Sequence, residues 1–338
     1  MKKHLFQAHE LAFHTQYSEL KERIAQAGAL LPGTPGSLKL RASAGGWYRV
    51  FYLQDSAQTE SWVCTVEDDA ALQEMHSRIE LANWVREQVT KLRKLGFQVA
   101  DKATASVLVE LSNRGFFQSG LVLVGTLAYM AWLNELGVGA VSARTLDIDL
   151  ARRQALKLAA PLSFLETMQG TGLPFVAVPG LPSTAASTSV KLAGAKGLRV
   201  DFLAPGKTLG KLIRVPELDW AAQTIPFYDY LLEAPEPALM LAGGHAIPVA
   251  LPQAARLMWH KLYASGQRKR DIDKSRKDVV QAITLGAVLA EEQPHLLIDA
   301  FKQAPAAMQG LIAKTERTLD AGKQHPQLLD VFETLGLN

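Results

Sequence analysis

The sequence predicts an α/β protein of the α+β kind: a mixed-sheet core with a helical C-terminal region, preceded by a small N-terminal region of helix and β-meander. Three observations carry this. From Gln118, the apolar run Leu121-Val122-Leu123-Val124, a Gly125-Thr126 turn, a helical stretch and Asp147-Ile148-Asp149-Leu150 read as strand, helix, strand, with further strands through Phe202. Upstream, short alternating segments flank Gly45-Gly46. From Pro252 onward helical spacing dominates, with segments after Pro252, near Asp273, after Pro294 and after Pro326.

In chain order, residues 1 to about 35 read as a helical lead-in stopped by Pro32-Gly33 and Pro35-Gly36. Leu38, Leu40 and Ala42 then alternate with Lys39 and Arg41, Gly45-Gly46 turns the chain, Trp47 to Gln54 runs back, and Glu60 to Val66 completes three strands. The aromatics Trp47, Tyr48, Phe51, Tyr52 and Trp62 either fill a small core or stack on bases. Residues 67–117 are helical, with Ile79, Trp84, Val85 and Val89 near a 3.6 period, and are expected to form a hinge-like connection. The expected regions are therefore 1–117, 118–251 and 252–338.

Composition fits a soluble enzyme: 338 residues with 48% hydrophobic content can fill real cores. Net charge is only +3, and the single Cys64 cannot form an internal disulfide, so a cytoplasmic location is the expectation. Lys2 and Lys3 are followed by too many polar residues for an export leader, and the apolar stretch Leu121 to Leu133 is too short to span a bilayer, so no membrane association is expected.

Asp147 and Asp149 carry the chemical signal. In a strand, residues i and i+2 share a face, so the two carboxylates emerge together while Leu146, Ile148 and Leu150 point to the other side. Hard oxygen ligands at this spacing suit Mg²⁺, or Mn²⁺, completed by water and substrate phosphates. The competing reading is two solvated aspartates on an exposed edge. A third carboxylate, Asp201, sits mid-strand in Arg199-Val200-Asp201-Phe202-Leu203-Ala204, before Pro205-Gly206. Three carboxylates on adjacent strands could hold two ions across an in-line displacement. With the upstream Gly125-Thr126 turn, the pattern points to nucleotidyl transfer.

Further on, Lys261 lies on the inward stripe Ala254, Leu257, Met258, Leu262, where a charge needs a partner or a route to water. Either a triphosphate supplies the partner or the lysine snorkels. Between Arg256 and Asp278 eight basic residues face three acidic ones. This run is either a phosphate-receiving patch or a solvated helix face. Gly206-Lys207-Thr208 lacks the first glycine of a Walker A loop, and no zinc-binding spacing occurs.

Taken together, Gly125-Thr126, Thr145 to Leu150, Leu198-Arg199-Val200-Asp201, Ala221-Ala222-Gln223, Pro252, Arg256, His260-Lys261-Leu262 and Lys277 to Ala282 resemble, in content and order, bacterial nucleotidyltransferases of the polymerase-beta-like superfamily. The similar group is related to toxin components of abortive-infection systems, and the resemblance covers roughly residues 110 to 285. It departs in carrying Thr126 where Ser or Gly is commoner and in a long spacer before Asp147.

The resemblance implies a metal-dependent enzyme moving a nucleoside monophosphate from an NTP to an acceptor hydroxyl. An RNA end is favoured as acceptor over a protein side chain. Asp147, Asp149 and Asp201 would be the metal-binding and catalytic set, and Gly125, Thr126, Lys261 and Lys277 the nucleotide-binding residues. Arg268, Lys269 and Arg270 would receive RNA. The alternative is a catalytically silent nucleic-acid- or protein-binding module, with a protein partner, in a defence or toxin-antitoxin system.

Overall fold

The computed structural model describes residues 5–53, 58–141, 145–194, 197–268, 271–315, 319–320 and 322–337. Its N-terminal part contains β1 (Phe6–Ala8), α1 (Leu11–Gln26), β2 (Ser37–Arg41), β3 (Gly46–Tyr52), β4 (Gln58–Thr65) and α2 (Asp69–Lys94). Next come α3 (Lys102–Asn113), β5 (Leu121–Val124), α4 (Gly125–Glu135), β6 (Val138–Ala140), β7 (Asp147–Arg152), α5 (Phe164–Gln169), β8 (Phe175–Ala177) and β9 (Ser189–Leu192). The sheet is completed by β10 (Arg199–Pro205), β11 (Leu212–Val215) and β12 (Trp220–Ile225), before α6 (Tyr228–Leu231), β13 (Glu236–Ala242) and β14 (His245–Leu251). Helices α7 (Ala254–Gln267), α8 (Ile272–Glu292), α9 (Pro294–Gln303), α10 (Ala306–Ala313) and α11 (Pro326–Thr334) close the described chain.

The fold is the expected α+β mixture of helices around mixed sheets. The central sheet runs β11-β12-β10-β7-β5, with β7, β10 and β12 parallel and the edge pairs β5/β7 and β11/β12 antiparallel. Strand β10 has one edge along β7 and divides its other edge, with Arg199 to Asp201 on β9 and Leu203 to Pro205 on β12. Arg199 to Asp201 and Leu203 thus have strand partners on both edges, as a buried strand requires.

Hairpin β13–β14 explains how two cores share one body. Ala238, Met240 and Ala242 enter the large core of the central sheet, while Leu239 and Leu241 enter a smaller one with Tyr17, Leu20, Ile24, Val85, Val89 and Leu92 from α1 and α2. Burial on both faces is why β13 reads as a continuous apolar run rather than an alternation.

The stretch 67–117 is packed rather than hinge-like. α2 is fixed by its Val85, Val89 and Leu92 in the smaller core, and α3 by fully buried Val107, Leu108 and Leu111 in the larger. Asp68 and Asp101 cap the two helices through the amides of Ala71 and Thr104.

The meander β2-β3-β4 is present as expected. Phe51 is buried, but Tyr52 and Trp62 remain 46% and 49% exposed, so the aromatics divide between core and surface. Buried Arg49 is unforeseen in a strand. Its guanidinium donates to the carbonyls of Pro32, Thr34 and Pro35 and lies 3.9 Å over the Phe51 ring, tying the proline-glycine turns to β3.

Candidate active site

The site begins where β5 ends. Gly125 opens α4 with φ +71°, a conformation that costs glycine little and other residues more. The space at its α-carbon is also taken, since a methyl group there would lie 2.0 Å from Asp149 Oδ2. Turn and carboxylate are therefore in direct apposition, and register enforces it, because Val124 of β5 pairs with Asp149 of β7. Thr126 follows, 5% exposed, in the first turn of α4.

Strands β7 and β10 set the acidic face. Asp149 is directly opposite Asp201, and Asp147 opposite Arg199, in parallel register. Since i and i+2 share a face, Asp147, Asp149, Arg199 and Asp201 form one polar array. Ile148, Leu150, Val200 and Phe202 on the other side are fully buried. Leu146 departs from its expected inward position and is 47% exposed, because it precedes the first paired residue of β7.

Asp201 is already engaged. Its Oδ1 accepts from Arg199 Nε at 2.7 Å and from the Ser189 hydroxyl, and Arg199 also reaches Ser189 Oγ at 2.7 Å. Among the described residues Asp149 has no such donor. Burial first, then the charges of Asp201 and Asp147, push its carboxyl up to about 6, against the pull of Lys261 and Lys277.

Lys261 does not wait for a substrate to neutralise it. Its Nζ lies 3.3 Å from Asp278 Oδ1, and both side chains are only 6% exposed. Burial lowers the Lys261 pKa while Asp278 opposes that shift. Arg268 Nε approaches the other carboxylate oxygen at 3.2 Å. His260, bonded at Nε2 to the Pro226 carbonyl, is pushed down to about 4, chiefly by burial. Beside it, burial and then Asp149 raise the Tyr228 phenol.

Part of the basic run is paired within the protein. Arg268 is the counter-ion of Asp278, and Arg256 is buried against Glu233, the Tyr230 carbonyl and Gln303. Lys274 pairs with Asp271. Arg268 thus serves as a second counter-ion of Asp278 beside Lys261, while its own side chain stays 39% exposed. Lys269 and Arg270 lie outside the described residues. Lys277 is partly buried and acts electrostatically on Asp149.

A family model described as nucleotidyltransferase matches residues 102–306, more than half of the chain. The chain belongs to this nucleotidyltransferase family. No curated protein matches it. The match runs from α3 into α10 and encloses every residue of the site, so this nucleotidyltransferase is an enzyme that transfers nucleotidyl groups from a nucleoside triphosphate. No helix among the described residues is long and apolar enough to cross a membrane.

The donor chemistry of the nucleotidyltransferase suits a hard divalent cation. Burial first, then the charges of Asp201 and Asp147, raise the Asp149 carboxyl, and a cation would relieve the repulsive part of that shift. Among the described residues, however, no three acidic, histidine or cysteine side chains stand gathered at metal-binding geometry. With Asp201 held by Arg199 and Ser189, Asp147 and Asp149 are the pair that could hold a cation. Ser189 and Asp278, the partners of Asp201 and Lys261, were not foreseen from sequence. Arg199 was legible, two residues before Asp201 on the same strand face.

Proposed function

We propose that this nucleotidyltransferase is metal-dependent and passes a nucleoside monophosphate to an acceptor hydroxyl, with an RNA end favoured over a protein side chain. The observation that carries the reading is the apposition of Gly125 and Asp149 beside the paired Asp149 and Asp201. A glycine turn opening a helix lies directly against an acidic face, which juxtaposes a phosphate cradle and metal-ligating carboxylates.

In this reading Asp147 and Asp149 hold Mg²⁺ or Mn²⁺, which when bound neutralises phosphate oxygens of the triphosphate. The amides at the start of α4 and the Thr126 hydroxyl take the terminal phosphates. Lys261 and Lys277 add positive charge on the side where pyrophosphate departs. Asp201, hydrogen-bonded by Arg199 and Ser189, either joins a second ion or accepts the proton of the incoming hydroxyl. The bond to the α-phosphorus forms from that hydroxyl as the bond to pyrophosphate breaks.

The test is incubation of purified protein and total RNA with each α-labelled triphosphate, with Mg²⁺ or with chelator. Metal-dependent label on RNA that is lost in Asp149→Asn supports the reading. Label on protein alone would overturn the RNA assignment, and equal label with chelator would overturn metal dependence. The resemblance to abortive-infection toxins extends the proposal to growth arrest in a host cell, read by induced expression of wild type against Asp149→Asn.

A further inference from the structure

Away from the acidic face, a cavity of about 800 Å³ opens where α2 and the turn before β2 meet the start of α3 and the β13–β14 hairpin. One wall is a single face of α2. Arg78, Ala82, Arg86, Thr90 and Arg93 follow spacings of four, four, four and three, so they stack along the cavity. From Arg78 to Arg93 the wall extends about 22 Å at about 1.5 Å per residue.

The facing wall is held close by the Gly243-Gly244 turn. A methyl on Gly243 would lie 2.8 Å from the Lys102 α-carbon, and one on Gly244 would lie 3.3 Å from Arg86 Cγ. The hairpin thereby brings Lys102, at the first turn of α3, into the same cavity as Arg86.

The charge is one-sided. Arg86 and Arg93 make no ion pair among the described residues, and Arg78 is bonded only to the neutral Ala29 carbonyl. Of the lining carboxylates, Asp101 is occupied in capping α3, which leaves Glu74. His245, bonded at Nε2 to the Leu31 carbonyl, is lowered in pKa mainly by burial and also by the positive charges of Arg49 and Arg86. Leu31, Leu81 and Val85 give the lining an apolar part beside Thr34 and Ser106, and the half-exposed Tyr52 also lines the cavity.

We propose that this cavity is a groove for the backbone of single-stranded nucleic acid. Guanidinium forks match phosphate oxygens two at a time, and their spread over several helical turns suits a chain of phosphates better than one small anion. The apolar floor and Tyr52 offer a surface on which unpaired bases stack without sequence selection. Arg78, Arg86 and Arg93 lie outside the segment that matches the family, while Lys102 and the Gly243-Gly244 turn lie within it. The N-terminal region thus contributes its own charged wall to the enzyme. The role as acceptor groove rests on the RNA reading above, whereas the binding itself does not.

The experiment is a polarisation titration of a short fluorescein-labelled single-stranded RNA against full-length protein in the Asp149→Asn background, with no triphosphate. Arg86 and Arg93 are exposed, so Arg86→Ala/Arg93→Ala is expected to fold, as checked by its melting curve. Losing two phosphate contacts should weaken binding about tenfold or more and lower the salt slope by about 1.4, at about 0.7 per contact. The charge-matched Lys302→Ala/Lys314→Ala variant should bind as the parent does. Equal binding by both variants, or equal loss in both, overturns the proposal. So does displacement of the RNA by AMP, pyrophosphate or a Glu-rich peptide at lower concentration than unlabelled RNA. Label transfer to protein alone would sink the RNA-acceptor reading yet leave this binding result standing.

Discussion

Lys261 on α7 reaches Asp278 on α8 at 3.3 Å, and Arg268 completes the cluster from the far end of α7 at 3.2 Å. The pairing makes the two charged partners unequal. Removing Lys261 leaves Asp278 with Arg268, whereas removing the Asp278 charge leaves a buried ammonium without its paired carboxylate. We expect Asp278→Asn to destabilise by about 3–5 kcal/mol and Lys261→Met by clearly less, in urea unfolding. Lys261→Met should still raise KM for triphosphate or lower kcat. A folded variant with unchanged kinetics would remove Lys261 from the nucleotide site.

Gly125→Ala combines a positive φ with a collision against Asp149 Oδ2. The expected cost is about 1–3 kcal/mol in stability, with displacement of the carboxylate. The stabilisation that wild type gains from triphosphate with Mg²⁺ should disappear in thermal melts. An undiminished ligand-induced shift would show that the turn does not touch the phosphates.

The raised carboxyl of Asp149 makes a definite pH signature. An unfolded Asp titrates near about 3.9, while the folded group titrates at about 6. Between those values the folded state holds the extra proton, so stability declines as pH rises through the window, and the loss is complete above it. Asp149→Asn lacks this slope. Relative to that variant, the wild type should lose about 1–3 kcal/mol between about pH 4 and about pH 7, with solvent screening reducing the figure. Parallel urea midpoints across the range would refute it.

Arg199 competes with any cation for Asp201. Arg199→Ala should therefore tighten Mn²⁺ binding severalfold in nucleotide-free protein, measured by the loss of the free-ion paramagnetic signal. Weaker binding would mean that Arg199 organises the acidic face rather than opposing the metal.

Much of the acidic face was readable from alternation alone. Asp147 and Asp149 share a face, as do Arg199 and Asp201, because a strand has period two, and the flanking Ile148, Leu150 and Val200 indicated which face was buried; that the two pairs meet follows from β7–β10 register. The Gly125 turn was readable because glycine after an apolar strand marks a special backbone conformation. Pairing between distant elements was not. Asp278 meets Lys261 only through the packing of α7 on α8, and Ser189 meets Asp201 only through β9–β10 register. The three-residue pair β1 and β6 is too short for periodicity to reveal, and two-sided burial hid the alternation of β13. How much of the basic run is paired was not readable, because net charge along sequence ignores counter-ions such as Glu233, which meets Arg256 from another element.

Parallel pairing of Asp149 with Asp201 carries a consequence for how this gene can change. The separation of those carboxylates is dictated by backbone hydrogen bonds, so conservative exchange of the apolar residues beneath them leaves it intact. Inserting a single codon within β7 or β10 upstream of either aspartate would turn that side chain to the opposite side of the sheet. Lengthening the connection between β8 and β9 would leave the pair untouched. Length polymorphism should thus be tolerated between these strands and eliminated within them, a pattern that a codon-insertion library selected for triphosphate binding would display directly.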